Sequence, residues 1–139
     1  MKVLRKSGAS MVVWKLVRFS RIEGESGGST EMKRFNMDMN VTSMKKEGNE
    51  LLVDFTYRID YSKEVGFIIL NGQVQASGEK KELDEIVAGW KAKKLPVEFA
   101  AQLSNVILYN CEINGVLVSR VLAIPAPVIP PNITTAGST

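Results

Sequence analysis

The sequence predicts an α+β fold: a four-stranded antiparallel sheet followed by a short helix and a long helix packed on one face. Two strictly alternating segments joined by a Gly-bearing turn predict a hairpin within the sheet. After Gly78 the apolar spacing switches from period two to helical spacing, which marks where sheet gives way to helix. The chain has 139 residues, the length of one domain. Its 45% hydrophobic content is enough to build a core without staples.

Residues 1–10 read as a flexible basic leader, with Ser7-Gly8-Ala9-Ser10 as its loosest part. Residues 11–131 form the domain and 132–139 a flexible tail. The first strand is expected over 11–23, with Val13, Val17 and Phe19 on one face and Trp14, Leu16 and Ile22 on the other. A strand apolar on both faces must be covered on both. Gly24 to Glu31 reads as a loop. Phe35, Met37, Met39 and Val41 then alternate with Arg34, Asn36, Asp38, Asn40 and Thr42. A turn follows at Lys46-Glu47-Gly48-Asn49. The third strand places Leu51, Val53, Phe55, Tyr57 and Ile59 inward, against Asp54, Thr56, Arg58 and Asp60. After a turn at 61–64, the fourth strand covers 65–77. Ile68, Leu70, Val74 and Ala76 lie on one face of it, with Phe67 and Ile69 on the other, and Gly72 marks a bulge or a close backbone approach.

Leu83, Ile86, Val87 and Trp90 repeat at i, i+3, i+4, i+7 and define the short helix, with Lys91 to Lys94 suited to its C-terminal end. Pro96 opens the long helix. Its expected buried stripe is Phe99, Leu103, Val106, Ile113, Leu117 and Val121, with Asn110 as a satisfied amide on the same stripe. Leu108 and Leu122 make the far side apolar too, so burial on more than one side is expected. Gly115 is expected to bend or split this helix. Prolines 125, 127, 130 and 131 end it in an extended segment.

The chain has no histidine and a single cysteine, Cys111. That composition excludes Ser-His-Asp and Cys-His nucleophilic catalysis and a structural zinc site. No calcium-loop, Walker A or dinucleotide-binding pattern occurs. The sequence thus points to no catalytic residue, no metal and no cofactor. Glu82, Asp84 and Glu85 sit at a helix start, where acidic side chains are expected for dipole reasons. One unpaired thiol fits a reducing, cytoplasmic setting. No apolar run reaches membrane-spanning length, and the first segment fails as a secretory signal. The net charge is +3, yet residues 1–21 carry six basic and no acidic residues, leaving −3 on the rest. That arm is read as a solvated leader, with Met11 as an alternative start. Its competing use is as a nucleic-acid contact.

Three segments carry a likeness to a known family. Phe67-Ile-Ile-Leu-Asn-Gly-Gln-Val-Gln-Ala-Ser-Gly78 looks like the fourth strand of the SecB-like export chaperones. Glu82-Leu-Asp-Glu-Ile86, with Trp90-Lys-Ala-Lys-Lys-Leu-Pro96, resembles their helix and Leu-Pro junction. Asn105 to Cys111, continuing through Leu117-Val-Ser-Arg-Val-Leu-Ala-Ile-Pro-Ala-Pro-Val128, is similar to their long helix and its terminal segment. The resemblance covers about residues 12–131. It implies a non-enzymatic, oligomeric chaperone, a dimer or tetramer, whose partners are unfolded or export-destined polypeptides and copies of itself. A pI near 9.0 departs from the acidic export chaperones, and delivery to their motor is not implied for this chain.

The expected client-groove or oligomer-interface residues are Trp14, Phe19, Met37, Met39, Phe67, Ile69, Trp90, Leu108 and Tyr109. For each, ordinary core packing is the competing reading. The flexible methionines suit variable clients. The alternative uses of the chain are a small apolar ligand in the sheet-helix cleft or nucleic acid on the basic arm.

Overall fold

A computed structural model describes residues 12–29 and 35–127. Four strands, β1 (Val13–Ser26), β2 (Asn36–Glu47), β3 (Glu50–Asp60) and β4 (Gly66–Ser77), precede two helices, α1 (Lys80–Lys91) and α2 (Val97–Leu122). The strands form one antiparallel sheet in the order β1-β4-β3-β2. The expected α+β architecture is therefore present, with both helices on the face that carries Leu51, Val53, Phe55 and Tyr57. The leader, the tail, residues 128–131 and Arg34 lie outside the described residues.

β2 and β3 form the expected hairpin, joined by Gly48 and Asn49, with Gly48 at φ 62°. The first strand departs from its expectation. Its pairing with β4 shifts register between Trp14 and Leu16 and again between Phe19 and Arg21. Each bulge inserts one residue and reverses the parity of the positions beyond it. Trp14, Val17, Phe19 and Ile22 therefore lie opposite Ala76, Val74, Gly72 and Leu70, all on the helix face. Leu16, Arg18, Arg21 and Glu23 take the other face. The strand that looked apolar on both sides is one-sided, with two bulges. A third shift, between Val41 and Ser43, likewise puts Met44 beside Val53 in the core.

α2 runs along β1. Near its start Phe99 stacks on Trp14 with ring centroids 5.5 Å apart, and the Trp14 indole N–H donates to Gln102 Oε1 at 3.2 Å. Near its end Leu122 lies against Gly24, where an added Cβ would meet Leu122 Cδ1 at 2.6 Å. The span from Phe99 to Leu122 is about 35 Å at the α-helical rise. With its two bulges, Trp14 to Gly24 advances only the eight steps from Ala76 to Ile68 on β4, about 27 Å at the strand rise, so the helix segment is the longer of the two. α1 is short and covers the β2 side, where Lys46 forms an ion pair with Asp84.

The buried positions of α2 are Phe99, Leu103, Ile107, Cys111, Gly115 and Ser119. They recur every four residues and make one i±4n ridge. This corrects the expected stripe: Ile113, Leu117 and Val121 are 46%, 56% and 84% exposed. The helix is also unbroken at Gly115. An added Cβ there would sit in ordinary van der Waals contact with Pro127 Cγ at 3.4 Å and Ile59 Cδ1 at 3.5 Å, so Gly115 is a buried packing position of a continuous helix.

Both helices end in Schellman motifs. In α1, Lys93 N–H donates to Trp90 O and Lys94 N–H to Gly89 O. In α2, Ala123 N–H donates to Arg120 O and Ile124 N–H to Ser119 O. Beyond α2 the chain turns back, burying Ile124 and Pro127, and the Tyr61 hydroxyl donates to Pro125 O at 2.7 Å.

Candidate functional site

Among the described residues, exposed and half-buried large apolar side chains gather in two places. The first is an outward ridge on α2, formed by Tyr109, Ile113, Leu117 and Val121. Tyr109 is 68% exposed and the ridge repeats every four residues. It is two residues out of step with the buried ridge and so lies on the opposite side of the helix, and α2 presents one apolar row to the sheet and a second to solvent. Asn110 and Asn114 flank the outward row, and their side-chain amides donate back to Val106 O and Asn110 O at 2.8 Å. The amides that would make this face polar are thus spent on the helix's own carbonyls.

The second group is on the sheet face away from the helices. Leu16 is 42% exposed there, in the row it shares with Gln75 and Leu52. At the other end of the face Phe67 and Ile69 are half-buried, with the Arg58 guanidinium 5.4 Å from the Phe67 ring centroid. Between these ends the face is polar. Asp54 accepts from the Ser43 hydroxyl at 2.7 Å and from Gln73 Nε2 at 2.9 Å.

The nine expected interface residues are spread over four environments. Trp14, Phe19, Met39, Trp90 and Leu108 are partly buried and pack against the core. Phe19 meets Phe55 edge-on at 6.0 Å. Phe67 and Ile69 lie on the opposite sheet face. Met37, 40% exposed on edge strand β2, contacts the Tyr57 hydroxyl through its sulfur, and Tyr109 stands on the α2 ridge. The structure therefore does not gather the nine into one groove.

Sequence reasoning missed Ile113, Leu117 and Val121 as surface. The usable signal was Cys111, Gly115 and Ser119, three small residues four apart. Small residues at ridge spacing mark where a helix comes closest to what it packs on.

Burial pushes the Cys111 thiol up to about 12, with Glu112 adding to it, and the Tyr61 phenol up to about 12. Tyr57 rises further by burial beside Cys111 and Glu112. At neutral pH all three are uncharged. Among the described residues no group of three metal-ligating side chains occurs, and no helix is long and apolar enough to cross a membrane. Asp84, one of the acidic residues at the α1 start, is engaged with Lys46.

No family model matches the sequence, and no curated protein matches it. A solved structure does match in shape: the SecB-like chaperone of Mycobacterium tuberculosis, determined in complex with a ChAD peptide from an antitoxin. The TM-score is 0.62 at 10% sequence identity, with 91% of this chain and 89% of that chain covered. The fold is therefore SecB-like, and at that identity the likeness is one of architecture.

Proposed function

We propose that this chain is a non-enzymatic polypeptide-binding chaperone of the SecB-like kind, working as an oligomer in the cytoplasm. The observation that carries this reading is the outward α2 ridge. Four large apolar side chains, 46–84% exposed, stand in one row on the longest helix of a SecB-like fold. Full burial of such a side chain is worth about 1.5–3 kcal/mol, so the row favours association. Part of it serves contacts between copies. The remainder, with the Leu16 and Phe67 ends of the outer sheet face, is left for extended apolar segments of clients. The peptide held by the tuberculosis chaperone supports a polypeptide as the partner class.

The test combines light scattering with an aggregation assay. The chain is expected to run as a dimer or larger, and to suppress aggregation of a chemically unfolded client at stoichiometric amounts without nucleotide. Replacing Leu117 and Val121 together by Asp is expected to lower both the mass and the protection. A wild-type monomer that leaves client aggregation unchanged would refute the proposal.

A further inference from the structure

The corner where α1 ends holds a depression of about 580 Å³ lined by Trp90, Lys91, Lys93 and Leu95. Trp90 and Leu95 rest on the core and offer an apolar floor. Lys91, Lys93 and the adjoining Lys94 are exposed, and no carboxylate lines the depression. Among the described residues these three lysines have no ion-pair partner, whereas Lys15, Lys45 and Lys46 are each paired. Lys91 is accounted for by the partial negative charge at the helix end. Lys93 is not. It occupies the left-handed position of the α1 Schellman motif at φ 59°, where glycine sits without steric cost. A long cationic side chain held at that backbone angle, on the surface, points to a use for the ammonium.

We propose that this corner docks an acidic polypeptide segment carrying one large apolar side chain. The apolar group lies on Trp90 and Leu95, and the flanking carboxylates pair with Lys91, Lys93 and Lys94 (a volume in the range of ordinary ligand pockets). A polypeptide fits better than nucleic acid. The lysines form a single compact cluster around an apolar floor rather than a stripe that could follow a phosphate backbone. The site is separate from the α2 ridge and does not rest on the chaperone reading.

The test uses the full chain and a fluorescein-labelled synthetic peptide of Asp and Glu around one Phe, read by anisotropy. Saturable binding is expected that weakens as salt rises from about 50 to about 200 mM. The triple variant K91Q/K93Q/K94Q is expected to weaken it by about tenfold or more, while client protection stays as in wild type. Lys93→Gly alone separates a binding from a structural role: its thermal midpoint should rise while peptide affinity falls. A matched peptide of Lys and Arg around the same Phe is expected not to bind. The proposal is overturned by absent binding, by equal binding of the basic peptide, or by affinity unchanged in the triple variant or in Lys93→Gly. Tighter binding of a single-stranded DNA oligonucleotide through the same lysines also overturns it.

Discussion

Ala123 adopts φ 58° and ψ 43° to close α2. An L-residue with a Cβ is disfavoured there, and glycine is not. Ala123→Gly is therefore expected to stabilise the fold by about 1 kcal/mol, read as a higher urea midpoint with unchanged slope. Three buried acids act at the same scale. Their pKa values are raised in the folded state, so the folded chain holds more protons than the unfolded chain once pH exceeds the unfolded values, near 9 for Cys111 and 10 for Tyr57 and Tyr61. The stability this contributes is complete below about pH 9 and is lost as pH climbs toward 12. Thermal midpoints should be flat from pH 7 to 8.5 and fall above that. Cys111→Ser should remove the earliest part of the fall. A midpoint that holds to pH 11 would contradict the burial argument.

At the scale of elements, α2 makes the sharpest contrast, because two apolar rows on one helix have opposite fates. Leu103 is 3% exposed, and truncation to alanine leaves a cavity, so Leu103→Ala should cost about 2–5 kcal/mol. Leu117 is 56% exposed, and Leu117→Ala should change the unfolding energy of the isolated protomer by less than about 0.5 kcal/mol. Urea titrations at a concentration low enough to dissociate any oligomer measure both, and similar costs at the two positions would mean the ridges are misassigned. β1 shows the same dependence on register. Without the bulge at Lys15, Trp14 and Phe19 could not share a face, and without the one at Ser20, Ile22 could not join them there.

For the whole molecule, the layout is a sheet with one face under two helices, an apolar row on the outside of the long helix, and a second face left bare in the described residues. If association is driven by that apolar surface, client binding should show a negative heat-capacity change. Calorimetric titration with an unfolded client at several temperatures would reveal it, and a change near zero would favour a polar mode of recognition.

Strand and helix identities were legible in the sequence because alternation and helical spacing are local properties: Leu51 to Ile59, and Leu83 to Ile86, announce their elements unaided. The start of α2 was legible locally too, because Pro96 marks a helix N-terminus. The lack of histidine was legible at that level too, since a missing residue type needs no structure. Which apolar residues are surface was settled by packing, with the small residues Cys111, Gly115 and Ser119 as its local trace in α2. Bulge positions depend on the neighbouring strand, so the pairing with β4 set the faces of Trp14, Phe19 and Ile22. The buried row of α2 depends on the angle at which a long helix crosses its partners, so contact with β1, Ile59 and Pro127 put Cys111, Gly115 and Ser119 inside and left Ile113, Leu117 and Val121 out. Facing is a relation between elements, and no single segment encodes it.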